Sequence, residues 1–177
     1  MSTRYVLAGG PGIGKSTLIE ILASRGYAIV PETARIIIEE EKLKKSDALP
    51  WKDVQRFQEL VAIRQIKAER ECKAPVAFLD RGLIDGYAYC KISDVFVPKK
   101  LVEAARKKDG TPRYDKIFLP DLLPFYENAE YRKEDRKMQI KIHNAIGEAY
   151  KKFGYKVIPV PVLSPEKRAD FILKMIV

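Results

Sequence analysis

The chain has 177 residues, 46% of them hydrophobic and 32% charged, with 33 Lys and Arg against 24 Asp and Glu for a formal net charge of +9. That length fits a single α/β domain spanning 1–177 with a core of its own, and the composition excludes a disordered, repetitive or collagen-like chain. Cys72 and Cys90 have no CxxC spacing and there is one His, which excludes a zinc site and a disulfide framework, while the basic residues are mostly interleaved with acids, as in EEEKLKK and YRKEDRK, so the positive balance reads as solvated surface plus part of a cleft for anionic phosphates.

The opening MSTRYVLAGG carries too short an apolar run for a signal peptide, and no stretch approaches the ~18–20 apolar residues of a membrane span. A cytoplasmic protein with no membrane partner is expected. Tyr5-Val6-Leu7-Ala8 reads as the first strand, followed by a helix from Gly14 that ends at Gly26. Tyr27–Val30 is a second short strand, closed by Pro31. Residues 32–45 and 51–72 read as helices, the latter with Val54, Phe57, Leu60 and Val61 on one face.

Pro75 opens a third strand, Val76–Leu79, a continuous apolar run of the kind buried on both faces, ended by Asp80-Arg81-Gly82. Helices are expected near 83–91 and 98–108, a turn at Asp109-Gly110-Thr111-Pro112 and a fourth strand at Lys116–Leu119. Residues 120–136 hold two prolines and many charges and are expected to form a mobile lid. Ile142, Ile146, Ala149 and Phe153 then mark a helix, Tyr155–Ile158 a fifth strand, and Ser164-Pro165 caps the last helix. Short apolar runs alternating with amphipathic stretches give a three-layer α/β/α domain with a parallel sheet.

Gly9-Gly10-Pro11-Gly12-Ile13-Gly14-Lys15-Ser16 matches G-x-x-x-x-G-K-[ST] at every fixed position, directly after a strand and before a helix. Glycines let backbone N–H groups turn inward around phosphate oxygens, and the helix that follows aims its positive end at them. Gly9 to Thr17 are therefore the expected nucleotide-binding residues, with Lys15 neutralising β/γ charge and the Ser16 hydroxyl offered to Mg²⁺. ATP and Mg²⁺ are the implied cofactors.

In an open α/β sheet the partner carboxylate belongs at a strand's carboxyl end beside the loop, and Asp80 fits that position better than Asp121. It would hold the metal or take a proton from an acceptor hydroxyl, with a simple helix N-cap as the alternative. Glu32, Arg35 and Arg81 fall at the same sheet edge and suit the sugar and phosphate groups of an acceptor, the alternative being a salt-bridged helix start. Asp85 and Tyr89, four apart, share a helix face that would line the pocket if it is not surface. Arg132 and Arg136, also four apart, would close over a transferring phosphoryl group. His143 reads as a surface residue.

The segments GGPGIGKSTLIE, PETAR, FLDRGLIDGYAY, YDKIFL, EYRKED, IHNAI and GYKVIPVP, in this order over nearly the whole chain, resemble an AAA-labelled P-loop NTPase family related to the ribosylnicotinamide kinase domain. Glu32 and Asp80-Arg81 also resemble residues of thymidylate and deoxynucleoside kinases that contact acceptor sugar and phosphate. The resemblance implies a P-loop kinase fold with sheet order 2-3-1-4-5, a lid at 120–136 and ATP as donor. It leaves the acceptor open, since Pro31-Glu32-Thr33 stands where thymidylate kinases commonly have Glu-Pro, and no Asn-Lys-x-Asp guanine-reading motif is present. The expected function is a kinase moving the γ-phosphoryl of ATP to a nucleoside, nucleotide or cofactor-precursor acceptor. An NTPase switch serving a protein partner and a nucleic-acid end kinase remain alternatives, the last weakened by the lack of a basic–aromatic stripe.

Overall fold

The structure, a computed structural model, describes residues 2–107, 109–124 and 135–176. Strands β1 (Thr3–Leu7), β2 (Ala28–Val30), β3 (Val76–Asp80), β4 (Lys116–Pro120) and β5 (Val157–Val160) form one parallel sheet in the order β2-β3-β1-β4-β5. Parallel neighbours need crossovers, supplied by α1 (Lys15–Ser24), α2 (Thr33–Leu43), α3 (Val54–Glu71), α4 (Leu83–Ile92), α5 (Lys99–Ala104) and α6 (Arg136–Lys152), and α7 (Pro165–Lys174) follows the last strand. The order expected from the resemblance is the order observed.

Two-residue periodicity sends alternate side chains of β1 to opposite faces. Tyr5 and Leu7 pack with Phe78, Phe118 and Val160 under Leu18 and Leu22 of α1 and Ile172 of α7. Val6 and Ala8 pack on the other side with Leu79, Ile117, Ile84 of α4 and Ile146 and Tyr150 of α6. A smaller cluster of Ala62, Leu83 and Leu101 joins α3, α4 and α5 beside that layer. With both faces covered, the strands read as unbroken apolar runs, which is why they were visible in the sequence.

Several element bounds shift by one to four residues, α5 ending at Ala104 where a helix to 108 is expected, and the start of β5 and one helix face depart for a physical reason. Tyr155 does not open β5: Gly154 takes φ 84°, and Tyr155 N–H closes the end of α6 on Tyr150 O at 3.0 Å, so the strand starts at Val157 and runs through Pro159. A proline is tolerated there because β5 is an edge strand. On α3 the buried residues are Phe57, Gln58, Ala62, Gln65 and Glu69, a largely polar seam. Among the expected apolar residues only Phe57 is fully buried, because this face of α3 turns toward a cleft and a hydrogen-bond network and not toward oil. Glu69 takes bonds there from Gln65, Tyr114 and Arg113. Among the described residues no helix is long and apolar enough to cross a membrane.

Candidate active site

β1 delivers the chain into the glycine loop at Gly9. Gly9, Gly12 and Gly14 take φ of 118°, 68° and 82°, backbone that side chains rarely adopt, and a Cβ at Gly9 would lie 2.7 Å from Ile13 Cδ1. Ile13 is fully buried and pins the middle of the loop. Gly14 is the N-cap of α1 and brings no side-chain cap, and the first turn of α1 carries no acidic residue. The helix's leading N–H groups thus lie where an anion would be favoured. Ser16 and Thr17 are exposed at this rim.

Lys15 is buried, and its Nζ donates to the carbonyls of Gly9 at 2.9 Å and Gly10 at 2.6 Å. Burial and then the neighbouring Arg81 cation push its pKa down to about 7, against the pull of Asp80, Glu32 and Asp85. A phosphate placed at the loop would reverse that balance.

Asp80 ends β3 directly opposite Leu7 in the β1 register, and is 7% exposed. Its Oδ1 is buried with no hydrogen-bond partner among the described residues. Burial, with the Glu32 carboxylate nearby, raises its pKa above the ordinary carboxylate range, although Lys15 and Arg81 oppose this. An orphaned carboxylate is a group waiting for a proton or a cation. It is not the N-cap of α4, a position held by Gly82.

Arg81 follows in the left-handed region at φ 72°. Its Nε donates to Glu32 Oε1 at 2.6 Å, one terminal nitrogen donates to Gly9 O at 2.8 Å and lies 3.6 Å from Asp85 Oδ1, and the guanidinium sits over the Tyr89 ring at 5.7 Å. Burial works against the Glu32 carboxylate, but the Arg81 cation and then Lys15 hold it below its usual value. Glu32 therefore pairs with Arg81 and not with Arg35. Arg35 is exposed and lies 3.7 Å from Glu39, its nearest acid, though it still lines the cleft.

Asp85 is not a surface residue: at 2% exposure, its Oδ1 accepts from Gly9 N at 3.2 Å, and its Oδ2 accepts from Gly82 N at 3.1 Å and from the Tyr150 hydroxyl at 2.7 Å. Its oxygens already brace the start of the glycine loop. Tyr89 shares the cleft with it, as their spacing implied. Arg136, at the start of α6, donates to Gln139 Oε1 at 2.6 Å and to Leu123 O at 2.8 Å. Arg132 lies outside the described residues, as does most of the segment expected to form the lid, residues 125–134.

His143 is a correction: it is 7% exposed, and its ring packs against the glycines of the loop, with Nδ1 3.2 Å from where a Gly9 Cβ would stand. Burial, and then Lys15, depress its pKa. The apolar stripe of α6 predicted Ile142 and Ile146 but not this neighbouring seam of Gln139, His143 and Tyr150, whose 3- and 4-residue spacings follow the same helix period. Sequence reasoning also passed over Arg168 of α7, which donates to Ile13 O at 3.0 Å. Its position four residues after an N-cap serine gave no signal.

A single cleft of about 930 Å³ runs from the loop residues Gly12, Lys15 and Ser16, past Glu32, Arg81 and Asp85, into a largely apolar chamber walled by Phe57, Val61, Ala62, Leu83 and Leu101. Among the described residues, no group of three or more His, Cys, Asp or Glu could hold a metal by itself. The oxygen donors present, Ser16 and the unpartnered Asp80, fit Mg²⁺ shared with phosphate and water, which is how that ion is commonly bound.

No curated protein sequence matches the chain. Among solved structures it is similar to NadR protein in complex with NR (24% identity, TM-score 0.65, 90% of this chain and 45% of that one) and to NadR protein in complex with NAD and AMP-PNP (22%, 0.68, 99% and 48%). The chain thus spans less than half the length of NadR. It is also similar over 98% of both chains to deoxyadenosine kinase from M. mycoides (15%, 0.64), and over 99% of this chain and 91% of the other to thymidylate kinase from Candida albicans (16%, 0.65). At these identities the likeness establishes a shared nucleoside- and nucleotide-kinase-like P-loop fold. Residues 4–168 match the family described as AAA domain, so the chain belongs to that P-loop family.

Proposed function

We propose that the protein is a Mg²⁺-dependent phosphotransferase that moves the γ-phosphoryl group of ATP to a small acceptor of nucleoside, nucleotide or cofactor-precursor type. The observation that carries this reading is the continuity of the cleft: the glycine loop opens onto a second, apolar-walled chamber with Glu32, Arg81 and Asp85 at the junction. A nucleotide-dependent switch has no need of such a chamber, whereas a kinase must hold two substrates end to end.

In this reading the loop amides and the N-terminus of α1 hold the donor phosphates, and Lys15 leaves the Gly9 and Gly10 carbonyls for β/γ oxygens. Mg²⁺, held by Ser16 and Asp80, would supply charge neutralisation on the phosphates. Glu32, fixed by Arg81, accepts from an acceptor hydroxyl and turns it toward the loop, and the exposed Arg35 meets polar groups at the mouth. Asp80 serves either as that metal support or as the base; in the second role it takes the acceptor's proton as the new O–P bond forms and the β–γ bridging P–O bond breaks, releasing ADP. Arg136, whose guanidinium donates to Gln139 Oε1 and Leu123 O, would favour the transferring group by its cation.

The test is ATP consumption with and without a pool of nucleosides, nucleotides and cofactor precursors. Acceptor-dependent consumption is expected. Hydrolysis at the same rate without any acceptor would overturn the kinase reading in favour of an NTPase.

A further inference from the structure

The glycine loop is held from outside by α6. Gln139, fully buried on the first turns of that helix, donates from Nε2 to the Pro11 carbonyl at 2.7 Å, and its Oε1 is fixed by Arg136 at 2.6 Å. The helix lies close against the loop: a Cβ at Gly10 would lie 3.1 Å from Gln139 O and 3.2 Å from His143 Cβ.

The Pro11 carbonyl and the Gly12 N–H belong to one planar peptide unit, and in a trans peptide they point in opposite directions. Holding the carbonyl toward α6 therefore turns the Gly12 N–H toward the cleft that Gly12 lines. The neighbouring carbonyls are held differently. Those of Gly9 and Gly10 accept from Lys15, which must let go to reach phosphate, whereas the Gln139 bond does not involve Lys15 and need not break for Lys15 to move.

We infer that Gln139 is a positioning residue for the donor phosphates: it fixes the Pro11–Gly12 peptide so that the Gly12 amide is preset to donate to them, and ties that amide to Arg136 where α6 begins. This rests on the reading of the loop as an ATP site.

The experiment is calorimetric binding of a non-hydrolysable ATP analogue with Mg²⁺ to the full chain, alongside kcat and KM, for wild type and Gln139→Met, which keeps the length and removes the donor. Analogue affinity and KM for ATP are expected to worsen roughly five- to tenfold, with kcat within about twofold and KM for the acceptor unchanged. A merely structural role would lower the unfolding temperature and leave the folded protein's affinity as it was, and that result would overturn the inference. Should Gln139→Met not fold, Gln139→Glu keeps the shape and the Arg136 pairing but cannot donate to Pro11, and unchanged affinity in that variant would overturn it equally. Wild-type protein that binds no analogue would overturn the ATP-site reading itself, an outcome distinct from equal binding by wild type and variant.

Discussion

Arg81 Nε lies 2.6 Å from Glu32 Oε1, and the same guanidinium donates to Gly9 O at 2.8 Å, so one side chain fastens the end of β3 to the start of α2 and to the glycine loop. Planar, forked donors make this three-way junction possible, and a lysine cannot reproduce it. Arg81→Lys should lower kcat/KM for the acceptor by roughly a hundredfold, with a smaller effect on KM for ATP. Steady-state kinetics with each substrate varied in turn checks this, and equal losses for both substrates would count against it.

Lys15 supplies a pH signature. Its folded pKa of about 7 lies below the ordinary 10.5, so between those values the unfolded chain binds more protons than the folded one. Stability from this group therefore rises with pH across that window. Lys15→Met should flatten the rise, as read by denaturant midpoints at pH 7 and 9.5. Nucleotide phosphates restore the lysine's charge, so ATP binding at pH 8 should take up a proton, visible as a buffer-dependent binding enthalpy.

Asp80 runs the other way. Its folded pKa is raised, chiefly by burial, so the folded chain binds more protons than the unfolded one as pH rises past the ordinary carboxylate value, and stability is lost there. Asp80→Asn should thus raise the melting temperature at pH 8 while cutting kcat by ~10²–10⁴-fold and removing the acidic limb of the pH–rate profile. A variant both less stable and fully active would refute this assignment.

The sheet, its flanking helices and the glycine loop were legible because each rests on a local rule: apolar runs for strands buried on both faces, helical periodicity, and a motif whose every residue has a mechanical role. What stayed hidden is held together by contacts between distant segments. Nothing near Asp85 foretold that it would accept from Gly9 and Tyr150, 76 and 65 residues away, nor near His143 that it would lie beneath the loop. Gln58, Gln65 and Glu69 are buried on α3, where the sequence marked only the apolar residues Val54, Phe57, Leu60 and Val61. Polar residues satisfied by tertiary partners carry no signature in a hydrophobic pattern.

Tyr150 gives a way to test the hidden bracing alone. Tyr150→Phe keeps the packing of the fully buried ring and removes the donor to Asp85 Oδ2, which still accepts from Gly82 N. A loss of about 1–3 kcal/mol in unfolding free energy is expected from chemical denaturation. A neutral outcome would mean that Asp85 does not depend on α6.

The most direct test of the central claim follows the phosphoryl group itself. Protein, Mg²⁺ and ATP labelled in the γ-phosphoryl are incubated with pooled nucleosides, nucleotides and cofactor precursors, with Lys15→Ala alongside, and new labelled products are sought by mass. A labelled acceptor formed by the wild type and missing from the variant is the predicted result. Label found only in free phosphate would contradict the account and assign the protein to the NTPases.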